Sequence, residues 1–340
     1  MRGAAEPYFF PAMWEQRRIC IAQALRRGRA QSVLEVGCGE GNVLLFLVGP
    51  SADDEHPVTR LAGIDINADA LAVAHDRLLP TDSDLRDLRV DELSIELFRG
   101  DASVPVRGLV VDAVVCTEVI EHVDEHAGVP ALTAAVLGGY RPRLAVFTTP
   151  NTEFNVNFPA LRYGSPEARF RDADHKFEWT RAEFAAWAHA AARAYGYEVQ
   201  LSGIGMSMRN AADGFVAHGG CSQMAVFTLC PGVAGAETAG VDAGDPPRLF
   251  AEIAYPVYAR PQAGPAELLG LVRGLARDIA GSDGGAVRLE DLWGVLEVRQ
   301  QFKRRRALEA WLAGQPAAFD LGNSGGGDAQ TPRTTLTVRA

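Results

Sequence analysis

The 340-residue chain has no apolar run approaching the ~20 residues that a membrane-spanning helix requires. Its longest apolar runs resemble "VLLFLVG" at 43–49, so no membrane association is expected. The first residues lack the basic-then-apolar pattern of a signal segment, and secretion is not expected. Cysteine is scarce: there are five, an odd number with no Cys-x-x-Cys spacing. That argues against a disulfide framework and suggests buried free thiols in a cytoplasmic protein. Positive charge is also in deficit. Lys and Arg total 33 against 43 Asp and Glu, a formal net charge of −10. Such a balance disfavours a protein that grips long nucleic acid by its phosphates, but not one that holds a single chain end. Basic stretches at Arg17, Arg18, Arg26, Arg27, Arg29 and 303–306 read first as solvated helix faces.

What is present is an ordinary globular composition, 47% hydrophobic and 22% charged, without internal repeats. Residues 12–28 carry a helical apolar pattern ended by Gly28. Strand and helix patterns then alternate: "SVLEVGC", "GNVLLFLVG", "RLAGIDI", "ADALAVAHDRLL", "IELFRGD", "VVDAVVCTEV", "VPALTAAVLGGY" and "LAVFTTP". Such alternation implies parallel βαβ units. A helix at 180–196 and strands near 197–204 and 223–229 complete an α/β fold, a mostly parallel twisted sheet with helices on both faces. This sheet domain is expected over 1–230, followed by a linker at 231–247. A strand with a helical appendage is expected over 248–313 and a disordered tail over 314–340.

The first strand runs into "EVGCGEG", where Gly37, Gly39 and Gly41 allow a tight turn at the ligand-binding edge of an open α/β sheet. Asp65 ends the second strand, where a carboxylate can take both hydroxyls of a ribose; as a helix N-cap it would need no ligand. Glu35 precedes the glycines, Asp101 follows the third strand as a cofactor contact or a plain turn residue, and Thr117 ends the fourth. Position 42 is Asn, so the dinucleotide GxGxxG pattern is not met. The combined pattern resembles Rossmann-like class I methyltransferases. It implies S-adenosylmethionine bound by Glu35, Gly37, Gly39, Asp65, Asp101 and Thr117.

In "CTEVIEHV", Glu118, Glu121 and His122 are spaced i, i+3, i+4, on one side of a helical turn. Two carboxylates and an imidazole at that edge suit a divalent cation; the alternative is an acidic, solvated helix start. "EVIEHV" also resembles the corresponding segment of ubiquinone-biosynthesis O-methyltransferases, which act on small phenols, so a catechol- or quinone-type substrate stays open at this point. A catalytically silent RNA-binding module of the same fold would be expected to have lost a glycine or a ligand.

"VFTTPNTEFN", "RDADHKFEWTRAEF" and the N-terminal "FFPAMWEQR" together resemble the small RNA 2′-O-methyltransferase family of the Hua-enhancer type, over about residues 9–230. Ala12 and Met13 depart from that family's Pro and Leu. The resemblance implies methyl transfer to the 2′-hydroxyl of the 3′-terminal ribose of small RNA. It also implies a metal held by Glu118, Glu121, His122 and His175, with His122, His175 and Glu118 catalytic. The metal would be Mg2+ or Mn2+, with Co2+ a further candidate. A monomer acting on single-stranded ends is expected, with a Piwi/Argonaute protein as possible partner. The terminal nucleotide is expected against the 149–155 loop, Arg162 and Arg171.

Overall fold

The computed structural model describes residues 8–49, 57–86, 88–205, 215–232, 244–257, 262–281, 285–324 and 333–339. Eight strands form one sheet: β1 (Ser32–Val36), β2 (Arg60–Asp65), β3 (Ser94–Arg99), β4 (Ala113–Thr117), β5 (Leu144–Pro150), β6 (Tyr197–Ile204), β7 (Ser222–Leu229) and β8 (Arg248–Ala254). Their order is β6-β7-β5-β4-β1-β2-β3-β8. The five central strands are parallel, while β7 runs antiparallel to both β5 and β6, and β8 antiparallel to β3.

Burial explains this arrangement. Every residue of β5 is buried, as are all but one terminal residue of β1 and of β4, as expected for parallel strands covered on both faces. β6 has a largely exposed pattern and lies at an edge. Helices α1 (Met13–Arg27), α2 (Asn42–Val48) and α3 (Ala68–Leu78) start the wrapping. The expected helix after β4 is α-helical over Gly128–Thr133 and widens to a π-helix over Ala134–Tyr140. Arg181–Tyr195 opens with a capping box, Thr180 and Glu183 satisfying each other's backbone N–H groups. On this side the core is aromatic, with Phe147 edge-on to Trp187 (5.2 Å) and to Phe227 (5.6 Å).

The chain divides into two compact units, and the expected boundary at 230 needs correction. The first unit contains 1–50, 56–79 and 93–254, because β8 pairs with β3 and completes the main sheet rather than starting an appendage. The second contains 51–55, 80–92 and 255–340. Within it, helices at Pro265–Ala280, Leu289–Trp293, Leu296–Phe302 and Arg305–Ala313 accompany a small sheet of β9 (Val287–Arg288), β10 (Phe319–Ser324) and β11 (Arg333–Val338). The tail is therefore not wholly disordered as expected. Phe319 and Leu336 are buried beside Leu308 and Leu312, which gives its flanks a reason to pair despite the glycine-rich composition between them. Residues 325–332 and most of the expected linker, 233–243, lie outside the described residues. Among the described residues no helix is long and apolar enough to cross a membrane. All five cysteines are free, three of them buried and two half-buried.

Candidate active site

The sequence motifs meet at the carboxyl ends of β1, β2, β4 and β5. The loop after β1 holds Gly37, Gly39 and Gly41 at φ of +67°, +50° and +73°, backbone that L side chains rarely adopt. A Cβ on Gly37 would come within 2.5 Å of Val119, so this loop is pressed against the turn that follows β4. Around Gly39 there is open space. Asp65 braces the loop: Oδ2 accepts from the Gly39 N–H (2.8 Å) and Oδ1 from the Asn67 N–H (2.8 Å). The N-cap of α3 is Asn67, which accepts from Asp69 and Ala70, so Asp65 is not the capping residue. Glu35 is buried, accepts from the Leu44 N–H at 3.2 Å, and is pushed up to about 8 by that burial. It is thus a protonated support for the start of α2.

Asp101 makes the turn that was its alternative reading, Oδ1 accepting from the Ser103 N–H at 2.8 Å, yet it stays exposed. With Ile66, Arg99, Val104 and Arg248 it lines a cavity of about 480 Å³. Ile66 was missed by sequence reasoning. Its side chain is 73% exposed between Asp65 and the turn at Asp101, an apolar surface suited to a planar ring. The signal was there, an isoleucine directly after the acidic residue, but its exposure is not visible in sequence. The Thr117 hydroxyl is buried at the end of β4 without a hydrogen-bond partner.

A second group gathers after β4. Ligand-type atoms of Glu121, His122 and His175 all lie within 4.8 Å of one another. Glu121 is fully buried. Its Oε2 accepts from the Thr149 hydroxyl (2.9 Å), while Oε1 has no hydrogen-bond partner. Burial first, and the negative charge of Glu118 second, raise its pKa. The two imidazoles meet edge-on, 4.9 Å between centroids. The His175 Nδ1 lies 2.7 Å from Glu178 Oε1, which also accepts from the Arg171 N–H (2.7 Å). A buried carboxylate there fixes the tautomer with the proton on Nδ1, leaving Nε2 as the nitrogen available to a ligand. The Lys176 N–H donates to the Glu121 carbonyl at 2.7 Å and so ties the "DHK" segment to "EH".

Glu118 corrects the expectation of one helical turn. The turn is a short 3₁₀ segment, Ile120–His122, and Glu118 precedes it at φ +52°, a strained conformation for a residue that carries a Cβ. Its Oε2 accepts from the Arg17 guanidinium (2.9 Å) and the Ser222 hydroxyl (3.2 Å). It stands outside the three-residue cluster, though its Oε1 is buried and unpartnered. Two orphaned carboxylate oxygens beside two imidazoles form a donor set that fits a divalent cation.

The 149–155 loop does not offer itself to a ligand as expected. Thr149, Asn151 and Asn155 are buried. Asn151 donates to the carbonyls of His218 (2.7 Å) and Gly220 (2.9 Å), and Asn155 donates to Glu178 Oε2 (2.6 Å). Arg171 is equally committed: it donates to Asn155, to the Cys221 carbonyl (2.7 Å) and to the Asn151 carbonyl. Arg162 is exposed, 3.9 Å from Glu167.

Comparison with known proteins bears on the family and the fold. A methyltransferase-domain family model matches residues 34–139. The small RNA 2′-O-methyltransferase of Schizosaccharomyces pombe is 33% identical over 264 residues, covering 73% of this chain and 69% of that protein. The one from Mus musculus is 33% identical over 222 residues, 65% of this chain, and the chain spans about half of that relative (52%). Among solved structures, the small RNA methyltransferase HEN1 is 28% identical with a TM-score of 0.57, over 76% of this chain and 30% of that one. The methyltransferase domain of bacterial CtHen1-CN is 31% identical with a TM-score of 0.50, over 64% of this chain and all of that one. The chain belongs to the small RNA 2′-O-methyltransferase family.

Proposed function

We propose that this chain transfers a methyl group from S-adenosylmethionine to the 2′-hydroxyl of the 3′-terminal ribose of a small RNA, using a divalent cation held by Glu118, Glu121, His122 and His175. The observation that carries the reading is the convergence of Glu121, His122 and His175 beside the glycine loop, with buried carboxylate oxygens left unpartnered. The cation, when bound, would supply Lewis acidity that lowers the pKa of the attacking hydroxyl and fixes the vicinal diol. S-adenosylmethionine supplies the methyl as a sulfonium.

The protein's own residues do the rest. Asp65 keeps lone pairs free for the cofactor's ribose while it holds Gly39 in place. Ile66 offers an apolar face to its base. Glu178 orients His175, and Thr149 orients Glu121, so the ligand set is preorganised before substrate arrives. With both imidazoles committed as ligands, neither can also accept the hydroxyl proton, which leaves through water. Only a 3′-terminal ribose has vicinal hydroxyls, which accounts for selection of chain ends by an acidic protein. Two imidazoles favour Mn2+ or Co2+ over Mg2+. The substrate we propose is a single-stranded end, as in an RNA carried by a Piwi/Argonaute protein.

The test is transfer of labelled methyl to a short single-stranded RNA with a 3′-hydroxyl, a 3′-deoxy or a periodate-treated end, with EDTA and with Mn2+ restored. Label on the intact end alone, lost with EDTA and regained with Mn2+, is expected. Equal labelling of the periodate-treated RNA would overturn the diol reading. Labelling of a catechol in place of every RNA would overturn the substrate class.

A further inference from the structure

The N-terminal helix carries a feature that neither the cofactor cradle nor the ligand cluster uses. Trp14 is 49% exposed on α1, and the Arg18 guanidinium lies 4.4 Å from its ring centroid. The two are spaced i, i+4 and share one face of the helix. Between them in sequence, Arg17 reaches inward to Glu118 at 2.9 Å, which places this face beside the proposed reaction centre. Arg18 has Arg77 and Glu35 among its electrostatic neighbours. Arg77 donates to the Glu40 carbonyl (3.1 Å) and to Asn42 (2.9 Å), on either side of Gly41. Among the described residues Arg18 has no carboxylate at salt-bridge distance. Phe10, just before the helix, is 69% exposed.

Resting on the function proposed above, we infer that Trp14 and Arg18 form a stacking platform for a base at the 3′ end of the RNA, terminal or penultimate. Three observations carry this. An indole half-open to solvent, with a guanidinium over its ring, offers planar surface for stacking, and bases of any sequence have a face to match it. The guanidinium packed on the indole gives that plate a positive charge, which suits a polyanion approaching a protein of net charge −10. The place is also right: fixing one ribose at Glu121, His122 and His175 leaves the adjoining bases to cross a neighbouring surface, and α1 is joined to that centre through Arg17. The cofactor's base is not the occupant, because Ile66 and Asp101 lie at the ends of β2 and β3 on the far side of the glycine loop.

The experiment pairs Trp14→Ala with RNAs that carry an abasic site at the terminal or penultimate position, using the full chain, S-adenosylmethionine and Mn2+. Wild type should show a KM for one abasic RNA raised roughly tenfold over intact RNA, with kcat little changed, from the usual strength of base–aromatic stacking. Trp14→Ala should show the same rise for intact RNA and no further rise for the abasic one, while Trp14→Phe should restore part of the affinity. Arg18→Ala should raise KM and reduce its salt dependence. An unchanged KM in Trp14→Ala, or an abasic penalty that persists in it, would overturn the platform. If Trp14→Ala fails to bind S-adenosylmethionine, the abasic RNAs on wild type and Trp14→Phe decide, and no abasic penalty at either position overturns it. Methylation of no RNA by wild type would instead refute the proposed function, so the two failures are distinct.

Discussion

Replacing Glu178 by glutamine preserves the shape of a fully buried side chain and removes its charge. In the native protein Oε1 accepts from His175 Nδ1 and the Arg171 N–H, and Oε2 accepts from Asn155 Nδ2, at 2.7, 2.7 and 2.6 Å. Glutamine can present its carbonyl to only one side, so its amide must face a donor on the other. The resulting unsatisfied buried donor costs about 1–3 kcal/mol of folding stability. The effect on the site is separate. Loss of a carboxylate behind a ligating imidazole typically weakens metal binding by about 10–100-fold, or about 1.4–2.7 kcal/mol. Mn2+ affinity, read from the electron paramagnetic resonance of the free ion, should therefore fall by at least about tenfold in Glu178→Gln. S-adenosylmethionine affinity, read by calorimetry, should stay near that of wild type, because the cradle at Gly37–Gly41 and Asp65 shares no hydrogen bond with Glu178. A folded Glu178→Gln with wild-type Mn2+ affinity would refute the claim that Glu178 sets the His175 tautomer for a cation. A cofactor affinity that falls in step with the metal would show general damage instead.

Glu35→Gln should flatten the pH dependence of cofactor-free stability. The folded pKa of Glu35, about 8, lies above its ordinary 4.5, so the folded state binds more protons between those values and wild type loses stability as pH rises through that window. The variant should be more stable than wild type by about 2–4 kcal/mol near pH 8 and not near pH 4, by chemical denaturation at both; a constant difference would refute the assignment. Gly37→Ala would adopt φ of +67° with a Cβ 2.5 Å from Val119. It should cost about 1–3 kcal/mol in stability and weaken S-adenosylmethionine binding, with wild-type affinity by calorimetry as the contrary result. Leu336→Ala, in the fully buried position of β11, should cost about 2–5 kcal/mol in the unit that contains it. A melting curve identical to wild type would restore the expectation of a disordered tail.

The proposed ligands were legible because their chemistry is in their residue types. Glu118, Glu121 and His122 are close in sequence, and the spacing alone put them together; His175 needed the family resemblance, since nothing local ties a histidine in a charged loop to "EH". What joins them is a backbone bond from Lys176 to Glu121 and the side-chain brace from Glu178. Sequence periodicity carries no trace of either. The reading of Glu118 as one side of a helical turn failed because a turn needs negative φ, and the chain leaves β4 at +52° there. The tail was misread for a related reason. Composition averages over a segment, whereas Phe319 and Leu336 order it by being buried one at a time. Similarly, β8 has an unremarkable strand pattern, and its place beside β3 depends on an edge left open by the order of the other strands.

The polar residues of "TPNTEFN" then acquire a physical role opposite to the one their polarity suggests. Polar side chains after a buried strand suggest contact with a polar substrate, and Arg171 suggests contact with phosphate. Yet Thr149 bonds Glu121, Asn155 bonds Glu178, which braces His175, and Asn151 ties the loop to the residues just before β7. Arg171 spends its donors on Asn155, Asn151 and Cys221. Carboxylates and imidazoles crowded at one sheet edge repel or titrate unless their geometry is enforced, and enforcing it in a buried place requires hydrogen bonds with no solvent to supply them. A motif can therefore be long and polar without touching substrate: most of it holds the few groups that do. On the proposed function, contact with the cofactor's base and with the RNA's bases falls to exposed residues outside the two long motifs, where Ile66 and Trp14 stand.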